Sequence, residues 1–388
     1  MSIDGLPPHA SAHLSGEAAT PARRNAPRHL PPEPPPAATP ATCHLYLHFP
    51  FCTGRCAYCA FVSGPPPAHP EAYVEDLLRE RDARNVPLAP LHSLYCGGGT
   101  PALLGERGFE RLRAAGLFSF AEDYEWTVEL HPAAVTRDLV RTLAGLGVNR
   151  LSLGVQALDD ATLARCNRRH TVRQALEALD LARAAVPDTG IDLIAGLPGV
   201  SPAQWRETLR HVAALGLPHV SVYALTLEPE SAWGRQALPP PDPNALCDAL
   251  AEAQASLAAQ GLVRYETSNY ALPGHRCRHN LNTWHGGDYL GLGRGAASRL
   301  GTLRRHGDGS EERLTPLDDA LERTLTALRL DTGFDPEAAC RRFPVLRPLL
   351  PRWQATLAQA RAHGLLTARN APTTRGHEVL DALERALL

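Results

Sequence analysis

The sequence predicts an α/β protein built on a parallel sheet of six strands and followed by a smaller, mainly helical domain. Three observations predict it. Six short β-rich runs alternate with segments of helical periodicity between residues 44 and 227, the order that a parallel sheet with right-handed crossovers produces. Five of the runs end in glycine or a polar residue, at Cys96-Gly97, Glu129, Gln156, Gly196 and Thr226. From about residue 315 the pattern is helical almost to the end. In parallel α/β folds the carboxyl ends of the strands share one face, so a site is expected where those polar ends converge.

The runs are "HLYLHF" (44–49), "HSLYC" (92–96), "YEWTVEL" (124–130), "RLSLGVQ" (150–156), "IDLIAGL" (191–197) and "HVSVYALTL" (219–227). Segments such as "EAYVEDLLRERDA", "RDLVRTLAGLG" and "VRQALEALDLARAAV" repeat their apolar positions at helical spacing between them. "PPPDP" after residue 239 interrupts the alternation, and "NALCDALAEAQASLAAQ" reads as a helix leading into an irregular Gly- and His-rich stretch over 265–300. In the tail, "GLLTARNAPTTRG" predicts a small hairpin between helices, an arrangement resembling a winged helix. That tail is not strongly basic, which points to a structural or partner-docking role rather than DNA binding. Residues 1–42 hold ten prolines in an Ala- and Thr-rich context and read as a disordered leader outside the fold. The expected organisation is therefore a leader over 1–42, a core over 43–240, a helix and irregular segment over 241–314, and a helical domain over 315–388.

Composition narrows the chemistry. A net charge of −2 and a pI near 6.8 give no bulk electrostatic case for nucleic acid or a membrane surface. There is no 18-residue apolar span and no apolar signal region at the N-terminus, so a cytoplasmic protein with reduced cysteines is expected. All 39 basic residues are arginine, which excludes an internal Schiff base, a pyridoxal-phosphate lysine and a Walker-type phosphate lysine.

Three of the nine cysteines, Cys52, Cys56 and Cys59, fall within "CTGRCAYC", directly after the first run. Clustered thiolates select zinc, copper(I) or iron–sulfur clusters. A structural zinc site takes four ligands, commonly as two close pairs, and no second pair follows nearby. A [4Fe-4S] cubane held by three cysteines leaves one iron open to a small bidentate ligand. Cys43, Cys96, Cys166, Cys247 and Cys340 stand alone and read as small core or surface residues. "CGGGTP", Cys96 to Pro101, would let backbone amides approach a ligand without a Cβ in the way. Glu129, Gln156 and Asp192 lie on successive runs, and Arg168 in "NRRH" offers a guanidinium suited to a carboxylate.

CxxxCxxC after a first strand, with Tyr58 before the last cysteine, resembles the radical S-adenosylmethionine (SAM) superfamily. The resemblance implies a partial (β/α)6 barrel and a cluster whose unique iron is chelated by SAM, able to reduce it to a 5′-deoxyadenosyl radical. "YLHFPFCTGRCAYCAF", "YCGGGTPALL", "RLSLGVQALDD", "DLIAGLPG", "SVYALTLEPES", "YETSNYALPGHRCRHNLNTW" and "DYLGLGRGAAS" narrow it. From residue 43 onward the chain is similar to the oxygen-independent coproporphyrinogen dehydrogenase family, HemN and HemW, and more so to the heme-chaperone branch. Matched residue by residue, the family's SAM positions fall on Tyr46, Tyr58, Gly98, Gly99, Thr100, Glu129, Gln156, Arg168, Asp192 and Ala224. The dehydrogenase carries CxxxCxxCxC, whereas Ala60 and Phe61 follow Cys59 here.

"HNLNTW", His279 to Trp284, resembles the HNxxYW signature tied to heme in that branch, with Thr283 in place of tyrosine, and Arg294 stands in a glycine-rich turn where a small residue is usual. Imidazole is a common axial ligand, so His279 is the expected heme ligand, with His275 and His285 as neighbours. The resemblance implies a heme chaperone that passes heme to acceptor hemoproteins such as respiratory enzymes. The alternative is a radical enzyme converting coproporphyrinogen III to protoporphyrinogen IX, and a zinc-stabilised binding protein is the remote third. An electron donor is implied if SAM is reduced, and peripheral membrane association through partners and a homodimer are both compatible with it.

Overall fold

The computed structural model describes residues 42–388, and the Pro-rich leader lies outside them apart from Thr42. Six parallel strands form the centre: β1 (Thr42–Phe49), β2 (Leu88–Gly98), β3 (Phe120–Leu130), β4 (Arg150–Gln156), β5 (Thr189–Ala195) and β6 (His219–Ala224). Helices α1 (Tyr73–Arg84), α2 (Gly105–Ala114), α3 (Arg137–Leu146), α4 (Asp160–Arg165), α5 (Val172–Ala185) and α6 (Pro202–Ala214) connect them. Neighbouring strands pair in sequence order from β1 to β6, the α/β architecture and partial barrel the sequence predicts.

Period-two alternation decides which face is which. Leu45, Leu47 and Phe49 of β1 are fully buried in the large core shared with the helices. Their alternates His44, Tyr46 and His48 face the concave side, where His44 Nδ1 meets Ser93 Oγ at 2.8 Å and Tyr46 Oη meets His48 Nδ1 at 3.1 Å. Helix ends are set locally. Thr171 and Gln174 form a reciprocal cap at α5, Ser201 and Gln204 do the same at α6, and Gly147 closes α3 at φ 99°.

The strands differ from expectation mainly at their ends. β5 stops at Ala195 because Gly196 turns at φ 81°, and β6 stops at Ala224 instead of running to Leu227. After the short α7 (Ala232–Arg235), α8 (Pro243–Ala258) and β7 (Val263–Arg264), the stretch read as irregular contains β8 (Asn269–Ala271), α9 (Arg278–Trp284) and β9 (Leu290–Leu292). β8 joins β6 antiparallel and β9 joins β1 parallel, so added strands cover both edges of the six-stranded sheet. A three-residue strand among glycines leaves no periodicity to read.

That same stretch closes the amino-terminal end of the barrel. Glu125 accepts from the backbone N–H of Arg278 (2.9 Å) and His279 (3.2 Å), and Tyr265 Oη meets His219 Nε2 at 2.9 Å. The small antiparallel sheet β10 (Ser298–Leu300), β11 (Leu303–Arg305) and β12 (Glu311–Arg313) follows. The tail holds α10 (Pro316–Leu325), α11 (Pro336–Arg342), α12 (Leu350–Ala362), α13 (Thr374–Glu378) and α14 (Leu380–Leu387). It packs its own apolar cluster around fully buried Trp353, whose indole donates to Leu387 O at 2.8 Å. The expected hairpin reduces to one antiparallel bridge, Leu366 with Pro372, turned at Asn370 with φ 59°. No helix of the described residues is long and apolar enough to cross a membrane.

Candidate cofactor site

The loop after β1 carries the three thiols and is held by backbone bonds rather than by regular structure. Cys52 N–H donates to Gly64 O (2.7 Å), Cys59 N–H to Cys56 O (3.1 Å), and Ala57 N–H to Cys166 O (2.9 Å). Cys52, Cys56 and Cys59 are each half-buried and line one cavity of about 440 Å³ at the carboxyl ends of the strands, within the roughly 300–1,000 Å³ of small-molecule sites. Among the described residues no three His, Cys, Asp or Glu side chains are gathered tightly enough for one metal ion.

The remaining walls come from the strand ends. Tyr58, Gly98, Gly99, Thr100, Glu129, Gln156, Arg168, Asp192 and Ala224 all line the same cavity. Tyr46 is absent from the lining; it stacks on Tyr95 with ring centroids 6.1 Å apart, one layer below. His279 is also elsewhere: it is buried on the short α9, with Nδ1 facing Ser93 Oγ at 3.0 Å. His275 binds Asp188 at 3.2 Å, and His285 sits exposed past the end of α9.

Three features show that this donor set fits a cluster with an amino-acid chelate. Gly99 keeps the loop after β2 packed against the start of the cysteine loop, because a Cβ would sit 2.4 Å from Phe51 O. Arg168 reaches Gly154 O and Cys56 Sγ (3.5 Å for the latter) but leaves its buried Nε without a partner, a donor waiting for an acceptor. Gln156 adopts φ 71° where the β4–β5 register shifts, so its amide is held at the site by a backbone conformation that L-residues avoid. Replacing Gln156 with glycine should relieve about 1 kcal/mol of backbone strain while weakening SAM binding. A raised unfolding midpoint together with unchanged SAM affinity would contradict the second half.

Glu129 is the most constrained carboxylate. Tyr95 Oη donates to its Oε1 at 2.7 Å and Gly98 N–H to its Oε2 at 3.3 Å. Burial pushes its carboxyl up to about 7, the Tyr95 hydrogen bond opposes the rise and nearby Asp192 adds to it. Asp192, held by Ser152 Oγ at 3.0 Å, is raised as well, again chiefly by burial. With the folded pKa above the unfolded one, the folded chain retains a proton the unfolded chain has lost, so stability falls as pH rises from about 4.5 to about 7 and is flat above. Subtracting a Glu129→Gln denaturation series from the wild-type series should isolate that slope, and a pH-independent difference would disprove it. The sequence reading missed Tyr95; its place two residues before Gly97, on the same face of β2, is the signal that marks it. His131 and Tyr223 also line the cavity, and Cys277, the remaining cysteine, directs its Sγ to Glu125 at 3.4 Å.

The Radical SAM superfamily profile matches residues 46–212. The chain is 36% identical over 323 residues to the heme chaperone HemW of Synechocystis, covering 74% of this chain and 78% of that one. It is 37% identical over 266 residues to the heme chaperone HemW of Escherichia coli, covering 66% and 70%. Among solved structures, coproporphyrinogen III oxidase (HemN) of Escherichia coli superposes with a TM-score of 0.74 over 89% of both chains at 23% identity, and so shares the fold. A Radical SAM superfamily match over residues 46–212, together with heme chaperone HemW relatives alike over most of their length, makes this chain a member of the HemW family of radical SAM proteins.

Proposed function

We propose that the chain binds heme and delivers it to acceptor hemoproteins, and that it holds a SAM-coordinated [4Fe-4S] cluster in the cavity of the strand ends. Its membership of a family whose named relatives are heme chaperones supports the first part. The observation that carries the second is the gathering of Cys52, Cys56 and Cys59 with Glu129, Gln156, Arg168 and Asp192 around one cavity. Cys52, Cys56 and Cys59 would supply three iron ligands and leave the fourth iron to the SAM amino and carboxylate groups. Arg168 would pair with that carboxylate through its unpartnered Nε, Glu129 and Asp192 would accept from ribose hydroxyls and the ammonium, and Gly98 and Gly99 would present backbone to the amino group. When bound and reduced, the pair supplies a strong one-electron reductant beside a cleavable sulfonium.

Acceptors among respiratory enzymes, an external electron donor and a homodimer belong to the same reading. Phe61, where the dehydrogenase has its fourth cysteine, favours delivery over turnover. The test is an anaerobically reconstituted chain titrated with hemin, mixed with an apo-hemoprotein, and assayed in parallel for coproporphyrinogen III consumption with reductant and SAM. Hemin binding and transfer without consumption is the expected result; consumption without hemin binding would assign the chain to the enzyme instead.

A further inference from the structure

His279 lies where a macrocycle does not reach. It is 6% exposed, its Nδ1 is engaged by Ser93, and its ring packs against Tyr95 and Tyr46 at centroid distances of 5.3 and 6.2 Å. Bringing heme to it would require lifting α9 off Glu125 and opening the floor of the barrel.

A flat dicarboxylate needs an apolar face and cations for its propionates, and both occur at the rim of the cofactor cavity. Phe61 and Val62, directly after the cysteine loop, are 63% and 42% exposed. Three arginines bracket them. Arg55 donates to Phe61 O at 3.0 Å. Arg169 crosses Gly54, where a Cβ would lie 2.4 Å from its Nε, and Arg294 brings Nη2 to 4.0 Å from the Cβ position of Gly64. Among the described residues none of the three has a carboxylate within ion-pair distance, whereas Arg79, Arg111 and Arg305 all do. Arg55 and Arg169 line the cofactor cavity, which Glu228 also lines, while Arg294 lines a second cavity with Glu75, Asp76, Glu80 and Asp308. The three guanidiniums are thus unpaired cations on a surface of mixed charge, in a chain whose net charge is −2.

Resting on the heme-delivery reading, we propose that heme docks on this rim, with its ring over Phe61 and Val62 and its propionates paired with Arg55, Arg169 and Arg294, rather than at His279. Guanidinium groups pair two-pronged with carboxylates, and an exposed aromatic side chain offers a stacking face for a planar ring. Arg294 thereby acquires a purpose in a turn whose flanking glycines pack against His48 and Val62.

The test uses the reconstituted full chain and reads porphyrin binding by Soret absorption, with cluster content and circular dichroism as fold controls. The wild type is titrated with hemin, protoporphyrin IX and protoporphyrin IX dimethyl ester, beside the triple variant R55Q/R169Q/R294Q, Phe61→Ser and His279→Gln. Hemin and protoporphyrin should bind the wild type, with the ester and the triple variant each weaker by on the order of tenfold or more, Phe61→Ser weakened as well, and His279→Gln unchanged. A triple variant with a full cluster and wild-type hemin affinity would overturn the rim site and leave heme delivery standing. Loss of hemin by a folded His279→Gln protein would overturn it too. So would a triple variant that keeps hemin but loses reduction by an acidic redox protein, because the rim would then belong to that partner. Failure of the wild type to bind hemin removes the heme-delivery reading itself.

Discussion

Alanine at any one of Cys52, Cys56 or Cys59 should strip the reconstituted protein of its cluster: iron and sulfide near background, no brown charge-transfer absorption and no paramagnetic signal after reduction. The effect is large because three protein ligands are the minimum that fixes a cubane while leaving a vertex for SAM, and the described neighbours offer no substitute thiol in the right place. Cys166 is the nearest alternative, yet it is 1% exposed and burial pushes its thiol up to about 11, so it supplies little thiolate at neutral pH. Burial also raises Cys59, which the attraction of the iron would have to reverse. Secondary structure should survive, because the cysteine loop is tied down by Gly64, Cys166 and Trp233 through backbone bonds that do not involve sulfur. Retention of a full cluster in a single variant would show that another group can take the vacated corner, and the three-cysteine assignment would fail.

The site was legible in the sequence where chemistry and strand periodicity coincide. The thiol triplet, the glycine run and the polar strand ends at Glu129 and Gln156 needed only a strand count and the rule that parallel strands share a carboxyl face. Arg168 came from the turn after α4, and the resemblance rather than periodicity singled it out. What escaped was the floor. β8, α9 and β9 are too short to show a period, and their placement depends on contacts with residues 125, 219 and 45 that are distant in the chain. His279 illustrates the cost: a histidine in a signature reads as an open ligand, whereas the structure uses its backbone to cap Glu125 and its ring to fill space beside Tyr95. The rim arginines escaped for a different reason. Exposure and lack of a partner depend on how three segments pack together, which the motifs in those segments do not show.

Replacing Arg150 with methionine should be the most damaging single change to stability, costing about 3–5 kcal/mol, the range for breaking a buried ion pair. Arg150 is 3% exposed and begins β4 on the concave side. Its Nη1 lies 3.2 Å from Asp188 Oδ2 and donates to His275 O at 3.0 Å, so one guanidinium joins the β5 approach to the segment that leads into α9. Asp188 also meets His275 Nδ1 at 3.2 Å and would keep that contact, but its other oxygen would face the gap alone. Methionine restores much of the volume, which separates the electrostatic loss from a cavity effect. The double variant R150M/D188N should therefore recover part of the loss, since removing both charges is milder than stranding one. Urea denaturation with an unchanged m-value would give the magnitude, and a single-variant cost below about 1 kcal/mol would show that Asp188 is solvated well enough to stand alone. Hydrogen exchange adds the spatial test. The amides of Arg278 and His279, which donate to Glu125 from the far side of the same floor, should lose protection first, while those in the centre of β2 keep theirs. A floor that loosens in this order without loss of hemin affinity would also separate heme binding from the segment that carries His279.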